Sequence, residues 1–270
     1  MGSTSHNRIR AAKNFFVWLE ETDRWQGFKR WEKHFKVSKI ELMTDEEKDE
    51  SDDDWSFTID ELATLYHAAN NRMKLLMLLA LNTAMTQGEI ATLSRRHFVT
   101  TQSTIIRNGQ VIQPGEYWIT KTRKKVKGKA QRGRWRLWDE TYTMSSNQWT
   151  FLRNKQTNFD QRALMFVTRF NKPLVWYKRG DIHNSGLRID AVQKSWDYLL
   201  DNTPKVKRRS FKYLRKTSSQ FVRDIGGKEL SELQLVHTDT TMGRAYNKGD
   251  YIKLGEVLMQ VRKKLQPMFE

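Results

Sequence analysis

Between Lys121 and Arg136 the chain carries nine cations and no acid: Lys121, Arg123, Lys124, Lys125, Lys127, Lys129, Arg132, Arg134 and Arg136. Like charges at this density repel one another unless a polyanion neutralises them, and phosphate oxygens are the natural counter-ions. Arginine offers a planar fork that spans two oxygens, and lysine a compact point charge. A second run, from Lys205 to Lys216, includes Lys207, Arg208, Arg209, Lys212 and Arg215. It leads into a predicted helix whose first N–H groups would also face a phosphate.

The whole chain agrees with this local chemistry. It has 270 residues, with 48 Lys and Arg against 31 Asp and Glu, a net +17. One segment, Asp45 to Asp54, holds eight acids and one lysine, so the remainder stands at +24. Nucleic acid is the partner such a charge implies. An anionic membrane is the rival, but the cations do not form a short amphipathic surface helix. No apolar run is long enough to span a bilayer, and the first residues have no apolar signal core. With no cysteine, disulfides, thiolate metal sites and cysteine nucleophiles are excluded. The expectation is a cytoplasmic protein, associated with the nucleoid when on DNA.

The elements that must position these cations are legible from periodicity and end signals. Residues 6–19 place Ile9, Ala12, Phe15, Phe16 and Leu19 along one helical face. The acidic run reads as a solvated linker. Thr58-Ile-Asp-Glu61 is a capping box that opens a helix over 59–69. Residues 72–85 are apolar nearly all round and predict a buried central helix, followed by a short helix over 87–93. Strand-like runs at 103–107, 116–123 and 133–138, with Asn108-Gly109 as a hairpin turn, predict a three-stranded antiparallel sheet. Trp118, Trp135 and Trp138 flank its basic loop. Helices are expected over 140–156, 188–201, 210–224, 229–236, 240–246 and 251–265, with short strands at 164–168 and 174–177. The fold class is therefore α+β, mainly helical.

Three further segments resemble a known family. Leu235-Val-His237, followed nine residues later by Tyr246, resembles the His…Tyr signature of tyrosine recombinases and phage integrases. Phe211-Lys-Tyr-Leu-Arg215 resembles the family's arginine box. Leu81 to Leu93, with Glu89 and Leu93 in register, resembles its first motif. The basic hairpin lies where the family carries a catalytic lysine, and either Lys121 or Lys125 suits that role. Residues 6–21 resemble the last helix of the family's core-binding arm. The resemblance implies an arm remnant over 1–43, an acidic linker over 44–56 and an integrase-type catalytic domain over 57–270.

What it implies chemically is breakage and rejoining of DNA strands through a 3′-phosphotyrosyl intermediate. A phenol with a pKa near 10 is a weak nucleophile, so Tyr246 needs cations on the non-bridging oxygens, which Arg215 would supply. A hairpin lysine would protonate the leaving 5′-oxygen, and His237 would orient the phosphate or move a proton. The covalent intermediate conserves the bond energy, so no metal or other cofactor is required. Two positions depart from the pattern. Thr86 stands where the family has its first arginine, and Lys212 where it has another histidine. By analogy with a lost oxyanion donor, the missing arginine would cost about 3–4 kcal/mol in the transition state. The alternative is a DNA-binding protein of this family that has lost cleavage. Self-association on DNA as a dimer or tetramer is also implied. The apolar stripe Tyr251, Leu254, Val257, Leu258, Val261 and Leu265 would pack either on a neighbouring protomer or on its own domain.

Overall fold

The computed structural model describes residues 12, 15, 18, 19, 56–100, 105–107, 110–123, 131–155, 163–168, 170, 172–177, 188–236 and 243–270. For 105–107, 110–112, 123, 131, 153–155, 177 and 243–249 it describes the course of the main chain. The chain divides into two units, Met1–Trp55 and Ser56–Glu270. In the first, residues 12, 15, 18 and 19 are helical, and the Phe15 and Trp18 rings stack at 6.0 Å. The acidic run lies outside the described residues.

In the second unit, Thr58 opens α1 (Ile59–Ala68) through the expected reciprocal cap with Glu61. Helix α2 (Asn71–Thr83) is buried at every residue from Leu75 to Thr83, as its all-round apolar sequence requires. It ends on Ala84, which adopts a left-handed conformation with φ 49°. Short α3 (Gln87–Ala91) follows, then a 3-10 turn, Arg95–His97.

The sheet differs from expectation in one strand. Its order is β1 (Phe98–Thr100), β4 (Tyr117–Arg123), β5 (Gln131–Arg136), all antiparallel. The run at 103–107 does not join it. Instead β2 (Ile105–Arg107) pairs with β3 (Gln110–Ile112) as a separate hairpin. The Asn-Gly turn is thus a true hairpin signal for a different partner, and Phe98-Val-Thr100 is too short to advertise itself. Directly opposed residues share a sheet face. Ile119 with Trp135 and Lys121 with Gly133 therefore face the core, while Thr120 with Arg134 and Thr122 with Arg132 face away. A Cβ at Gly133 would lie 2.2 Å from the Trp135 ring, so the close approach of that indole requires glycine there.

Helix α4 (Asp139–Lys155) packs on α2. Strands β6 (Val175–Tyr177) and β7 (Arg188–Asp190) form a second hairpin, so Ile189 belongs to a strand and only Val192, Trp196, Leu199 and Leu200 to the buried face of α5 (Ala191–Asp201). Helix α6 (Lys212–Leu235) is broken at Gly227, whose φ of 85° is left-handed. A straight helix would separate Ser218 from Gln234 by about 24 Å, yet the Gln234 amide donates to the Ser218 hydroxyl at 2.8 Å. The chain doubles back at Gly227, and α6 is a helical hairpin packed on α2.

Segments expected to be separate at 240–246 and 251–265 form one helix, α7 (Gly243–Lys264). Its stripe from Tyr251 to Leu265 is buried in its own unit, with Leu254, Leu258, Val261 and Leu265 at 0% exposure. The three tryptophans around the basic loop are core pieces too. The Trp135 indole N–H donates to Gln234 O at 3.0 Å and that of Trp138 to Leu258 O at 2.7 Å, fastening the sheet to α6 and α7. Trp118 donates to Glu116 at 3.0 Å.

Asn82, fully buried, joins α2 to the end of β5: its amide donates to Arg136 O and its oxygen accepts from Trp138 N–H, both at 2.9 Å. Asn82→Ala leaves two buried main-chain groups without a partner, and urea unfolding is expected to show a loss of about 2–4 kcal/mol. The exposed substitution Lys263→Ala is expected to change stability by less than about 0.5 kcal/mol.

Candidate functional site

Arg215 sits in the first turns of α6, and the hairpin at Gly227 brings the end of that helix back beside it. One guanidinium nitrogen donates to Ala84 O at 2.6 Å and lies 3.6 Å from the Glu89 carboxylate. The other donates to Leu235 O at 3.4 Å. A cation is thus held at the C-terminal ends of α2 and α6, where helix dipoles favour positive charge. Burial pulls the Arg215 pKa below the usual arginine value, and Glu89 offsets part of that shift.

Glu89 has two duties. Its carboxylate accepts from the Thr86 N–H at 2.7 Å and from the Thr86 hydroxyl at 3.0 Å, and the Thr86 oxygen accepts from the Glu89 N–H at 3.3 Å. This is a second capping box, at the start of α3. Thr86, where the resemblance implies an arginine, is therefore an N-cap. Thr86-Gln-Gly-Glu89 spells that cap in the sequence, a signal by which this role could have been found.

Between α3 and the sheet lies a cleft of about 750 Å³ whose lining includes Thr86, Glu89, Arg96, His97, Lys121 and Arg132. Lys121 does not stand on an open face of the basic hairpin. It is 8% exposed, and its ammonium donates to Thr92 O at 2.9 Å and to the Thr92 hydroxyl at 2.7 Å. The residue at the end of α3 thereby fixes the lysine at the cleft. Arg95 turns away, donating to Phe98 O and lying 4.8 Å over the Trp149 ring, while Arg96 lines the cleft.

His97, which sequence reasoning did not single out, lines the same cleft. Its Nδ1 accepts from the Ser94 N–H at 3.0 Å. A neutral ring accepting there carries its proton on Nε2. Burial, then the charges of Lys121 and Arg96, push its pKa down to about 4, with the Ser94 hydrogen bond opposing the shift.

The remaining expected residues distribute as follows. Tyr246 lies on α7, and its side chain is outside the described residues. Tyr251, about 7.5 Å further along the same axis, donates its hydroxyl to Arg132 O at 2.9 Å, so the early part of α7 is tied to the strand that borders the cleft. His237, Lys124, Lys125, Lys127 and Lys129 lie outside the described residues. For Arg123 only the main chain is described, on β4 opposite Gln131. Arg134 lies 5.5 Å over the Tyr251 ring. Lys212 is exposed at the start of α6, 5.5 Å from the Tyr213 ring, and is not part of the cleft lining. Lys207 and Arg208 are exposed, and Arg208 pairs with Asp201. Arg209 corrects the expectation of a phosphate contact: it is 9% exposed, bonds Glu61 at 2.9 and 3.1 Å and covers the Phe57 ring at 5.0 Å. Its cation closes an internal ion pair, and hydropathy alone could not separate it from its exposed neighbours.

No protein-family model matches the sequence, and no curated protein matches it. Among solved structures, the chain is similar to XerA recombinase at 17% identity, covering 97% of this chain and 83% of that one, with a TM-score of 0.48. It is similar to the Tn1549 transposon integrase in complex with circular intermediate DNA at 12% identity, covering 94% and 78%, with a TM-score of 0.46. It is also similar to XerH site-specific recombinase in a pre-cleavage complex with its difH substrate. There the identity is 13%, the coverage 80% and 52%, and the TM-score 0.46. The chain spans about half the length of that XerH chain.

The depressed His97 pKa has a direct consequence. An unfolded imidazole binds its proton near pH 6.5 and the folded one near pH 4, so the unfolded state holds more protons in that window. Stability must fall as pH drops through it. Lys121, Arg96, Arg132 and Glu89 are the charged groups sharing the cleft. Melting temperature is expected to decline from pH 6.5 toward about pH 5, above most carboxylate titration, and to decline less in His97→Gln.

Proposed function

We propose that the chain is the DNA-cleaving and rejoining part of a site-specific recombinase of the tyrosine type, acting on double-stranded DNA at the cleft beside α3. The observation that carries this reading is the approach of Arg215 to Glu89 at 3.6 Å, next to a cleft that Lys121 lines. Glu89 and Arg215 come from two separately matched sequence segments and Lys121 from the basic hairpin between them, and a shared phosphate site requires such groups to lie close together.

In the first step the Tyr246 hydroxyl oxygen attacks the phosphorus and the bond to the 5′-oxygen breaks. Arg215, whose nitrogens hold the Ala84 and Leu235 carbonyls, sets its positive charge beside the non-bridging oxygens as charge develops there. The leaving 5′-oxygen takes a proton from Lys121 or Lys125, and His237 orients the phosphate or carries the phenolic proton. Lys212 adds a cation at the edge. In the second step a 5′-hydroxyl of the partner strand attacks the phosphotyrosine, and Tyr246 leaves as a phenol. Arg123, Lys124, Lys127, Lys129, Arg134, Lys207 and Arg208 hold the flanking backbone and Arg132 meets a backbone phosphate at the cleft, contacts that position the duplex without reading its bases. Strand exchange needs two or four copies on DNA. The burial of the Tyr251–Leu265 stripe within its own unit means that another surface would join them.

Thr86 supports a second reading, in which the protein binds DNA without cutting it, because an N-cap threonine brings no charge to the phosphate.

A suicide duplex, nicked so that cleavage cannot reverse, separates the two. Denaturing gels are expected to show a covalent protein–DNA adduct with wild type and none with Tyr246→Phe. An adduct that persists in Tyr246→Phe moves the nucleophile elsewhere. The noncatalytic reading expects no adduct but tight binding whose log–log salt slope, for about 8 phosphates, is near −7. A flat salt response contradicts both.

A further inference from the structure

Around the cleft the charges do not balance. Arg96 enters from the 3-10 turn and Arg132 from β5, both are exposed, and neither has a carboxylate partner among the described residues. Glu89 is the carboxylate in the lining, and it already accepts from Thr86 while facing Arg215. Folding explains Arg95, which bonds Phe98 O and stacks on Trp149, and it explains Arg209, which closes a pair with Glu61. It does not explain two guanidinium groups that border one concavity with no carboxylate partner among the described residues, where each raises the energy of the other.

His97 lines the same cleft next to Arg96 in the chain, with Nδ1 committed to the Ser94 N–H and its proton therefore on Nε2. A neutral imidazole of this tautomer donates one hydrogen bond and adds no charge. Two forks and one neutral donor around a cleft make a receptor for a tetrahedral oxyanion.

We propose that Arg96, Arg132 and the Nε2–H of His97 form a seat for a single phosphodiester group, supplying across the cleft the positive charge that position 86 lacks. That the phosphate is the scissile one rests on the strand-exchange reading; that the seat takes a backbone phosphate of duplex DNA does not. Arg96 and Arg132 grip its non-bridging oxygens, and His97 donates to a third oxygen. Thr86 is then free to cap α3 and hold Glu89 toward Arg215.

The test compares Arg96→Gln, Arg132→Gln and the exposed control Lys263→Gln, each checked for an unchanged melting temperature. Each cleft variant is expected to lower the magnitude of the log–log salt slope for duplex binding, the two combined by about 0.9, one phosphate contact, and Lys263→Gln to leave it unchanged. With the suicide duplex, each cleft variant is expected to slow adduct formation by about 10²-fold at saturating DNA. Thr86→Arg placed in the Arg96→Gln background is expected to restore part of that rate. His97→Gln, which keeps an N–H donor, is expected to retain more activity than His97→Phe. Slopes and rates that match Lys263→Gln overturn the seat. A wild type that forms no adduct removes the strand-exchange reading, and the slopes then decide the seat alone.

Discussion

The fold around the cleft depends on one buried cation placed where two helices end. Ala84 and Val236 both leave their helices in the left-handed conformation, at φ 49° and 55°, and each follows carbonyls that have lost their helical N–H partners. Arg215 reaches the carbonyls of Ala84 and Leu235 together. It does so because α6 turns back at Gly227, so that its start and finish lie side by side. The same guanidinium faces Glu89, which orders Thr86 and the start of α3. Removing the cation would unfasten α2, α3 and α6 at one point.

The sheet is fastened by different means. Trp135 and Trp138 donate across to α6 and α7, and Asn82 joins α2 to the end of β5. These buried donors fix β4 and β5 against the helices, and they hold Lys121 where Thr92 can cap its ammonium. The chain's high positive charge is thereby sorted. Arg95, Arg209 and Arg215 stabilise the interior, whereas Arg96, Arg132, Lys207 and Arg208 stay at the surface. Composition counts these cations alike, and only their partners separate them.

Much of the helical frame was legible in the sequence because its signals are local. The Thr58–Glu61 cap, the all-round apolar α2 and the stripe of α7 each follow from a period or an end signal. The third strand was not, because Phe98-Val-Thr100 offers three residues and no alternation. Gly226-Gly227 was visible as a break between two helices, but not as the hairpin that carries Arg215 back to Leu235. Around the cleft, Glu89 and Arg215 are legible from motif, and Lys121, alongside Lys125, from its place in the basic hairpin. His97 was missed because its meaning lies in Ser94 and in the charges across the cleft. Thr86 was read as a loss, although Thr86-Gln-Gly-Glu89 is a cap of the same kind as the one recognised at Thr58. Arg209 was misjudged because its acid partner, Glu61, lies 148 residues away.

Strand cleavage at this site requires a DNA phosphate in the cleft beside Arg215. A crystal structure of the protein with Tyr246→Phe bound to its duplex tests this most directly. The expected result is a backbone phosphate in the cleft within about 3.2 Å of the Arg215 guanidinium and of a lysine from the basic hairpin. A duplex lying across Lys207 and Arg208, with no phosphate in the cleft, would contradict the account.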